Sequence, residues 1–201
     1  VQLEAVGVVE AYSTVSVRTQ VTGVITQAHF KEGQDVQQGD LLFTIDTRPF
    51  EAVLKQFEAN LERDAAVLAN AREQARRYEE LVKKQYVSRE QYDQVRTNAE
   101  ALEATVEADK AAVENARVQL SYCRIFPPVT GRTGGLLVDE GNLVRTNDAA
   151  ALVTINQVSP IHVTFSVPEQ NLPEVKKRLA AGSLKVHALM PQTQERPVEG
   201  D

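Results

Sequence analysis

Residues 50–120 read FEAVLKQFEANLERDAAVLANAREQARRYEELVKKQYVSREQYDQVRTNAEALEATVEADKAAVENARVQL, and this stretch decides the fold. It contains neither glycine nor proline, and alanine, leucine, glutamate, glutamine and the basic residues fill most of it. These residues are strong helix formers, and their summed preference over so long a window is informative. The stretch therefore predicts α-helix over most of its length.

Residues recur every seven positions through this stretch in two successive series, each apolar except for one aspartate. The first series is Leu54, Phe57, Leu61, Asp64, Leu68, Ala71, Ala75, Tyr78 and Val82. The second series is Tyr92, Val95, Ala99, Leu102, Val106, Asp109, Val113, Ala116 and Leu120. Heptads of this kind form the seam of a coiled coil. Two series predict two helices that pack against each other along their length.

The two series are separated by Gln85-Tyr86-Val87. The next residues, Ser88-Arg89-Glu90-Gln91, have the pattern of a capping box, which marks the start of a helix. Because the break is so short, the two helices must run antiparallel. At a rise of about 1.5 Å per residue, each would be roughly 50 Å long. We therefore predict an antiparallel coiled-coil hairpin over residues 47–120.

The segments that flank the hairpin, 12–46 and 121–156, are rich in Val, Thr, Ile and Gly, and they repeat each other 108 positions apart. The matching elements are Val21-Thr22-Gly23 with Val129-Thr130-Gly131, Glu32-Gly33 with Glu140-Gly141, Val36 with Val144, and Asp40 with Asp148. Two similar β halves joined through a hairpin predict a β sandwich with internal two-fold symmetry. Gly33, Gly39 and Gly141 stand where its turns need positive φ.

Residues 1–11 and 157–201 predict a third module that this sequence leaves incomplete. Its predicted elements are strands over Val6–Ala11, Ile161–Val167 and Leu184–Met190, and a helix over Pro173–Ala181 that ends at Gly182. We interpret the module as a partial β-barrel. The predicted fold class is α+β and elongated: a split β sandwich, an inserted helical hairpin and the partial barrel.

Several motifs of the β halves resemble those of the periplasmic adaptors, or membrane fusion proteins, of tripartite efflux pumps. The matching stretches are VTG at 21–23, EGQDVQQGDLL at 32–42, SYCRI at 121–125, PVTG at 128–131, RTG at 132–134 and VDEGNLV at 138–144. Adaptors of the resistance-nodulation-division (RND) type are the most similar. Pro127 departs from the family pattern, which more often has a small residue there. The resemblance implies that the β sandwich is a lipoyl-like domain.

The resemblance also implies a function. It implies a non-enzymatic periplasmic protein that joins an inner-membrane RND-type transporter to a TolC-like outer-membrane channel and self-associates as a trimer or hexamer. Signal, membrane anchor and membrane-proximal domain would lie outside this sequence, which begins at Val1. We expect no nucleic-acid partner, because the net charge is −6 and basic residues do not cluster. An adaptor of an ABC-type or type I secretion system is the alternative within this class.

The family carries a motif at the hairpin tip that matches Arg77, Leu81 and Ser88, and the resemblance implies that these residues dock onto the channel. Leu81 lies one position from the seam residue Val82, so we expect its side chain to face solvent. The same residues also have structural interpretations. Arg77 could be an ordinary solvated charge, and Ser88 is well explained as an N-cap.

Asp64 and Asp109 are the polar members of the two heptad series, and an antiparallel hairpin places them opposite each other. Two facing carboxyl groups can share a proton, which is the arrangement of a general acid/base site. No nucleophile or histidine accompanies them in the seam. We interpret the pair as a structural polar layer that sets the register, as a buried Asn does in a coiled coil.

Cofactor and metal sites are not indicated. Lipoyl and biotinyl carrier domains share the sandwich fold and display a modified lysine at the junction of the two halves, but the junction here, Ile45–Pro49, has no lysine. His29, His162 and His187 lack the spacing of metal ligands, and Cys123 is the single cysteine. A purely structural coiled-coil spacer would leave the two matched β halves without a purpose.

Overall fold

The computed structural model describes residues 5–148, 150–182, 186–188 and 198–200. The chain divides into two compact units. One unit is Ser13–Ser159, and the other combines Val1–Tyr12 with Pro160–Asp201. The first unit holds the hairpin and the β sandwich.

The described elements follow the order that the sequence predicts. They are β1 (Gly7–Val17), β2 (Gly23–Ala28), β3 (Asp35–Val36), β4 (Phe43–Ile45), α1 (Arg48–Lys83), α2 (Arg89–Ser121), β5 (Arg124–Ile125), β6 (Gly131–Thr133), β7 (Leu143–Val144), β8 (Val153–Phe165), a 3₁₀ turn (Glu169–Asn171), α3 (Leu172–Ala181), β9 (Val186–Ala188) and β10 (Val198–Gly200). Two boundaries drawn from the sequence, between residues 11 and 12 and between 156 and 157, lie inside the continuous strands β1 and β8.

The antiparallel hairpin is confirmed, and its predicted seam is the observed one. Every heptad residue of both series is buried or half-buried. Two exposed ion pairs join the helices at matched heights: Arg72 Nη2 lies 2.7 Å from Glu103 Oε1, and Arg117 Nη2 lies 3.1 Å from Glu58 Oε1. The second pair is near the base of the hairpin, so the points where the chain enters and leaves it are side by side.

The sandwich contains two four-stranded sheets with the orders β5-β4-β2-β7 and β1-β8-β6-β3. Strand β2 pairs with β4 of its own half and with β7 of the other half, while β6 pairs with β8 of its own half and with β3 of the other. The β2–β7 and β3–β6 pairings have the same register in terms of the repeat. Gly23 lies opposite Val144 in the first pairing, and Gly131 lies opposite Val36 in the second. The sequence repeat is therefore a structural repeat in which each half lends one strand to the other.

The core of the sandwich draws on both halves. Its buried residues are Val17, Val21, Ile25, Val36, Leu42, Phe43, Ile45, Cys123, Ile125, Val144, Leu152, Val153 and Ile155. Removing this apolar surface from water is the main favourable term for closing the two halves on each other. Phe50 at the start of α1 and Leu120 at the end of α2 pack partly buried against the same core. The base of the hairpin is thus anchored to the sandwich.

The turns of the sandwich confirm the role predicted for three glycines. Gly33, Gly39 and Gly141 have φ values of 73°, 103° and 87°. Residues with a Cβ rarely adopt this region, so glycine relieves strain at each turn. The turns of the two halves are equivalent, because Gly33 and Gly141 occupy matching positions of the repeat.

In the second unit, β9 and β10 pair antiparallel, and the ring of Tyr12 stacks on His162 with centroids 4.6 Å apart. Helix α3 confirms the predicted helix to within one residue at its start and is followed by Gly182. Strand β9 lies within the strand predicted over Leu184–Met190, whose remaining residues lie outside the described ones. Closure of these strands into a barrel stays a prediction.

Candidate functional site: the hairpin tip

The tip begins where α1 ends in a Schellman motif. The N–H of Tyr86 donates to the carbonyl of Leu81, and the N–H of Gln85 donates to the carbonyl of Val82, both at 3.0 Å. Gln85 has φ of 62°, in the left-handed region that this motif requires at its central residue. The last carbonyls of α1 are satisfied in this way, and the chain reverses direction within a few residues.

Helix α2 then begins with the capping box that the sequence predicts. Ser88 Oγ accepts a hydrogen bond from the N–H of Gln91 at 3.1 Å, and Gln91 Oε1 accepts one from the N–H of Ser88 at 3.1 Å. Two N–H groups that the helix leaves unpaired are thus satisfied reciprocally. A Schellman motif and a capping box together fix the backbone of the turn from both sides.

The structure places the three predicted docking residues in different environments. Arg77 is exposed on α1, about two turns before its end, and Ser88 is exposed at the tip while its hydroxyl caps α2. Leu81 is half-buried, so the prediction that it faces solvent is wrong. Its carbonyl is one of the acceptors that hold the turn. Leu81 and Ser88 therefore lie on opposite sides of the turn, Leu81 in the last turn of α1 and Ser88 at the N-cap of α2.

The sequence interpretation missed Tyr86, whose side chain is 75% exposed. It is the most exposed aromatic residue in the described part of the chain. Its position between the two heptad series was the available signal, because a residue outside both seams has no partner helix to pack against. An exposed tyrosine at the end of a helical hairpin is a candidate contact residue.

The charges at the tip divide into paired and unpaired groups. Lys83 Nζ lies 3.0 Å from Glu79 and 3.1 Å from Glu80, and hydrogen bonds to these carboxylates, Glu79 first, raise the pKa of the Lys83 amine. Arg77, Lys84 and Arg89 form no ion pair with any residue that the structure describes. These three exposed cations are therefore available to a partner.

The second candidate site, the polar layer of the seam, brings Asp64 and Asp109 together. Arg63 donates to Asp64 through Nε at 2.7 Å and Nη2 at 2.9 Å, and these bonds hold the pKa of Asp64 below its ordinary value. Burial, then a hydrogen bond to Asp64 and the charge of that group, raise the pKa of Asp109. Of the two facing carboxyl groups, Asp109 is therefore the one that takes up a proton first as pH falls.

The polar layer offers little to a substrate. Asp109 Oδ2 is buried and accepts no hydrogen bond from the described residues. The neighbouring seam positions are apolar. This geometry supports our interpretation of the pair as a register-setting layer and supplies no group that could act as a nucleophile.

The junction between the first β half and the hairpin is closed by an ion pair. Asp46 accepts hydrogen bonds from the guanidinium of Arg48, with Nη2 at 2.6 Å, and from its backbone N–H at 3.1 Å. These bonds lower the pKa of Asp46 to about 2.

Within the described residues, no three His, Cys, Asp or Glu side chains group as metal ligands, and no helix there has an apolar segment of membrane-crossing length.

A β sandwich built from two strand-exchanging halves, with a helical hairpin between them, defines the class of barrel-sandwich hybrid proteins. A family model described as RND MFP, barrel-sandwich hybrid domain, matches residues 13–156. The chain belongs to this family of RND-type membrane fusion proteins.

Two curated relatives are named multidrug resistance protein MdtA. The protein of Proteus mirabilis is 43% identical over 173 residues, which cover 86% of this chain and 42% of the relative. The protein of Escherichia coli O17:K52:H18 is 41% identical over 180 residues, which cover 90% of this chain and 43% of the relative. The chain thus spans less than half the length of these proteins.

Solved structures show the same architecture. A MacA-MexA chimera that contains the α-hairpin domain of Pseudomonas aeruginosa MexA has a TM-score of 0.58 and 35% identity, covering 84% of this chain and 56% of the chimera. The membrane fusion protein Spr0693 of Streptococcus pneumoniae has a TM-score of 0.68 and covers 98% of this chain and 82% of its own. At 15% identity, Spr0693 supports the fold alone.

Proposed function

We propose that the chain is part of a periplasmic adaptor subunit of a tripartite efflux pump. The adaptor bridges an inner-membrane RND-type transporter and a TolC-like outer-membrane channel, and it is tethered to the inner membrane through segments outside this sequence. The observation that carries the proposal is the 43% identity to a multidrug resistance protein over 86% of the chain. The adaptor assembles and seals the pump, and the transporter supplies the energy.

Within this proposal, the hairpin tip carrying Arg77, Leu81 and Ser88 docks onto the channel. Helix α1 has 36 residues, so at about 1.5 Å per residue the tip lies roughly 50 Å along the helix from the sandwich. The sandwich anchors the base of the hairpin through Phe50 and Leu120. The tip is therefore the part of this unit best placed to reach a second membrane component.

The proposal includes self-association as a trimer or hexamer. A groove runs along the hairpin with an apolar floor that includes Leu61, Leu68 and Val106, and with Arg72 and Lys110 at its rim. An apolar groove bordered by charges suits a second helix lying along it. A hairpin of a sister subunit is the occupant that a closed ring of adaptors would supply.

The test uses the full-length protein in a strain that lacks its own adaptor but keeps the transporter and the channel. Wild-type protein should restore drug efflux and co-purify with both partners. Leu81→Asp should abolish efflux while the protein is exported and folded. The control is Val67→Asp, at an exposed position within α1, which should keep efflux at the wild-type level. Wild-type protein that neither restores efflux nor binds the partners would refute the proposal, and full efflux by Leu81→Asp would refute the docking assignment.

A further inference from the structure

We propose that Tyr86 is the central contact of the hairpin tip, that Lys84 and Arg89 guide it onto an anionic surface of the channel, and that Leu81 and Ser88 act by shaping the turn. This inference rests on the proposed function, since it assumes that the tip meets the outer-membrane channel. It assigns the contact to a residue outside the Arg-Leu-Ser motif and predicts the charge of the partner surface.

The exposure of Tyr86 favours a role as the contact residue. An aromatic side chain that is 75% exposed leaves a large apolar surface in water that burial against a partner would remove. Tyrosine is enriched among the few residues that dominate binding at protein interfaces, because its ring packs well and its hydroxyl can still hydrogen-bond. Leu81 has less surface to offer, because it is half-buried already.

The turn that carries Tyr86 is held in one backbone conformation. Tyr86 follows Gln85, whose φ of 62° is unfavourable for a residue with a Cβ. The chain keeps this conformation because the Schellman bonds on one side and the capping box of Ser88 on the other determine it. A side chain presented from a fixed backbone loses little conformational entropy on binding.

Cations flank Tyr86 on both sides, at Lys84 and Arg89. Lys84 at the end of α1 is explained locally, because a cation is favoured by the negative end of the helix dipole. Arg89 has no such local explanation, because it is the first residue of α2, where the helix dipole disfavours a cation. No described residue forms an ion pair with Arg89. A local rule broken at an exposed position points to function. In a chain of net charge −6, unpaired cations on both sides of an exposed aromatic ring complement an anionic partner surface.

The roles left to Leu81 and Ser88 are structural. The hydroxyl and the N–H of Ser88 are both engaged within α2, and the carbonyl of Leu81 holds the N–H of Tyr86. Substituting Ser88 removes the cap of α2, and truncating the half-buried side chain of Leu81 removes packing beside the turn on which Tyr86 stands. Loss of binding in such variants should therefore accompany loss of stability.

The experiment measures binding of the full-length adaptor to the purified TolC-like channel of the same organism in detergent, at low and at high salt. Tyr86→Ala should raise the dissociation constant about ten-fold or more, as hot-spot residues do, while Tyr86→Phe should stay within about three-fold of wild type. Lys84→Glu combined with Arg89→Glu should weaken binding at low salt and flatten its salt dependence. Lys55→Glu combined with Arg124→Glu, at exposed positions away from the tip, makes the same change of net charge and should bind as wild type does.

Melting of each variant, followed by circular dichroism, separates contact from shape. Tyr86→Ala should melt as wild type does, whereas Leu81→Ala should melt earlier in step with its loss of binding. If wild type binds and Tyr86→Ala binds equally well, the inference is wrong and the proposed function stands. The inference is also wrong if Leu81→Ala loses binding while its melting temperature is unchanged. If wild type does not bind the channel at all, the docking proposal and this inference both fall.

Discussion

Ser88 is the position where a capping role and a docking role can be separated by substitution. Ser88→Ala removes the oxygen that accepts from the N–H of Gln91 at 3.1 Å and loosens the return bond, also 3.1 Å, from the N–H of Ser88 to Gln91 Oε1. Loss of an N-cap costs about 1 kcal/mol, and weakening of the return bond raises the expected cost to about 1–2 kcal/mol. For a chain of 201 residues, this corresponds to a melting temperature lower by about 2–8 °C.

The assay compares Ser88→Ala with Ser88→Asn, because asparagine is as good an N-cap as serine but carries no hydroxyl. Melting is followed by the helical circular dichroism signal, and binding to the channel is measured on the same samples. If Ser88 acts as a cap, Ser88→Asn recovers both melting and binding. Recovered melting with binding still lost would show that the hydroxyl itself contacts the partner. Unchanged melting of Ser88→Ala would refute the capping argument altogether.

Three further predictions concern the fold. Gly131→Ala should destabilise the protein by about 1–3 kcal/mol in urea unfolding, and more than Gly23→Ala does. The added Cβ would lie 2.5 Å from a backbone carbonyl oxygen of β8, whereas at Gly23 it would lie 2.5 Å from a side-chain methyl, which can move aside. Equal losses would contradict this distinction between a backbone and a side-chain contact. Asp64→Leu with Asp109→Leu should retain or raise helicity and melting temperature, since an apolar seam replaces a desolvated carboxyl pair, and marked unfolding would count against the polar-layer interpretation. The pKa of Asp109 in the folded state is raised above 3.8, so the contribution of this group to stability is complete below pH 3.8 and is lost as pH rises through the folded pKa. Over that window, the melting temperature of Asp109→Asn should therefore rise relative to that of wild type. A difference between the two melting temperatures that does not depend on pH would show that the pKa shift is absent.

The hairpin could be predicted from the sequence because its signals are local. Helix propensity, heptad spacing and the Ser88 capping box each depend on neighbouring residues, and the predicted seam is the observed one. The hairpin was predicted to begin at residue 47, and α1 begins at Arg48. The proline-free stretch begins at Phe50, whereas α1 begins at Arg48, because Pro49 sits in the first turn, where its missing N–H has no intrahelical partner to lose.

The strand exchange of the sandwich could not be predicted in the same way. The repeat indicated two equivalent halves, but β3 and β7 are only two residues long and carry no periodic signal. Their pairing with the opposite half is decided by tertiary contacts between residues that are about half the chain length apart. The repeat therefore predicted the symmetry of the sandwich and left its connectivity open.

At the tip, the sequence predicted the cap and misjudged the exposure. A rotation of about 100° from the seam residue places Leu81 beside the seam rather than opposite it, and that angle alone does not say how the turn folds back. The Schellman motif brings the N–H of Tyr86 onto the carbonyl of Leu81. Tyr86 was missed because a residue within a turn belongs to neither heptad, and its exposure depends on the turn geometry.

The exchanged strands also explain why the tip can carry residues that break local rules. Neither half of the sandwich can complete its sheet alone. Glutamates at equivalent positions of the repeat also connect the halves by hydrogen bonds: Glu32 accepts one from the N–H of Leu136 at 2.6 Å, and Glu140 accepts one from the N–H of Ala28 at 2.8 Å. These residues are distant in sequence, so the entropy cost of joining them falls only when the hairpin closes and brings its two ends together.

Closure depends on the seam and on the base of the hairpin, where Arg117 meets Glu58 and the core begins. The tip contributes a turn and little buried apolar surface, so substitutions there should lower the stability of the hairpin, beginning with the last turns of α1 and the first turns of α2, more than that of the sandwich. The free energy of unfolding is therefore less sensitive to unfavourable features at the tip than at the base of the hairpin. The tip carries three such features: the left-handed backbone of Gln85, the exposed side chain of Tyr86 and a cation at the start of α2. The end of the hairpin that matters least for stability is thus the end most free to be shaped by a binding partner.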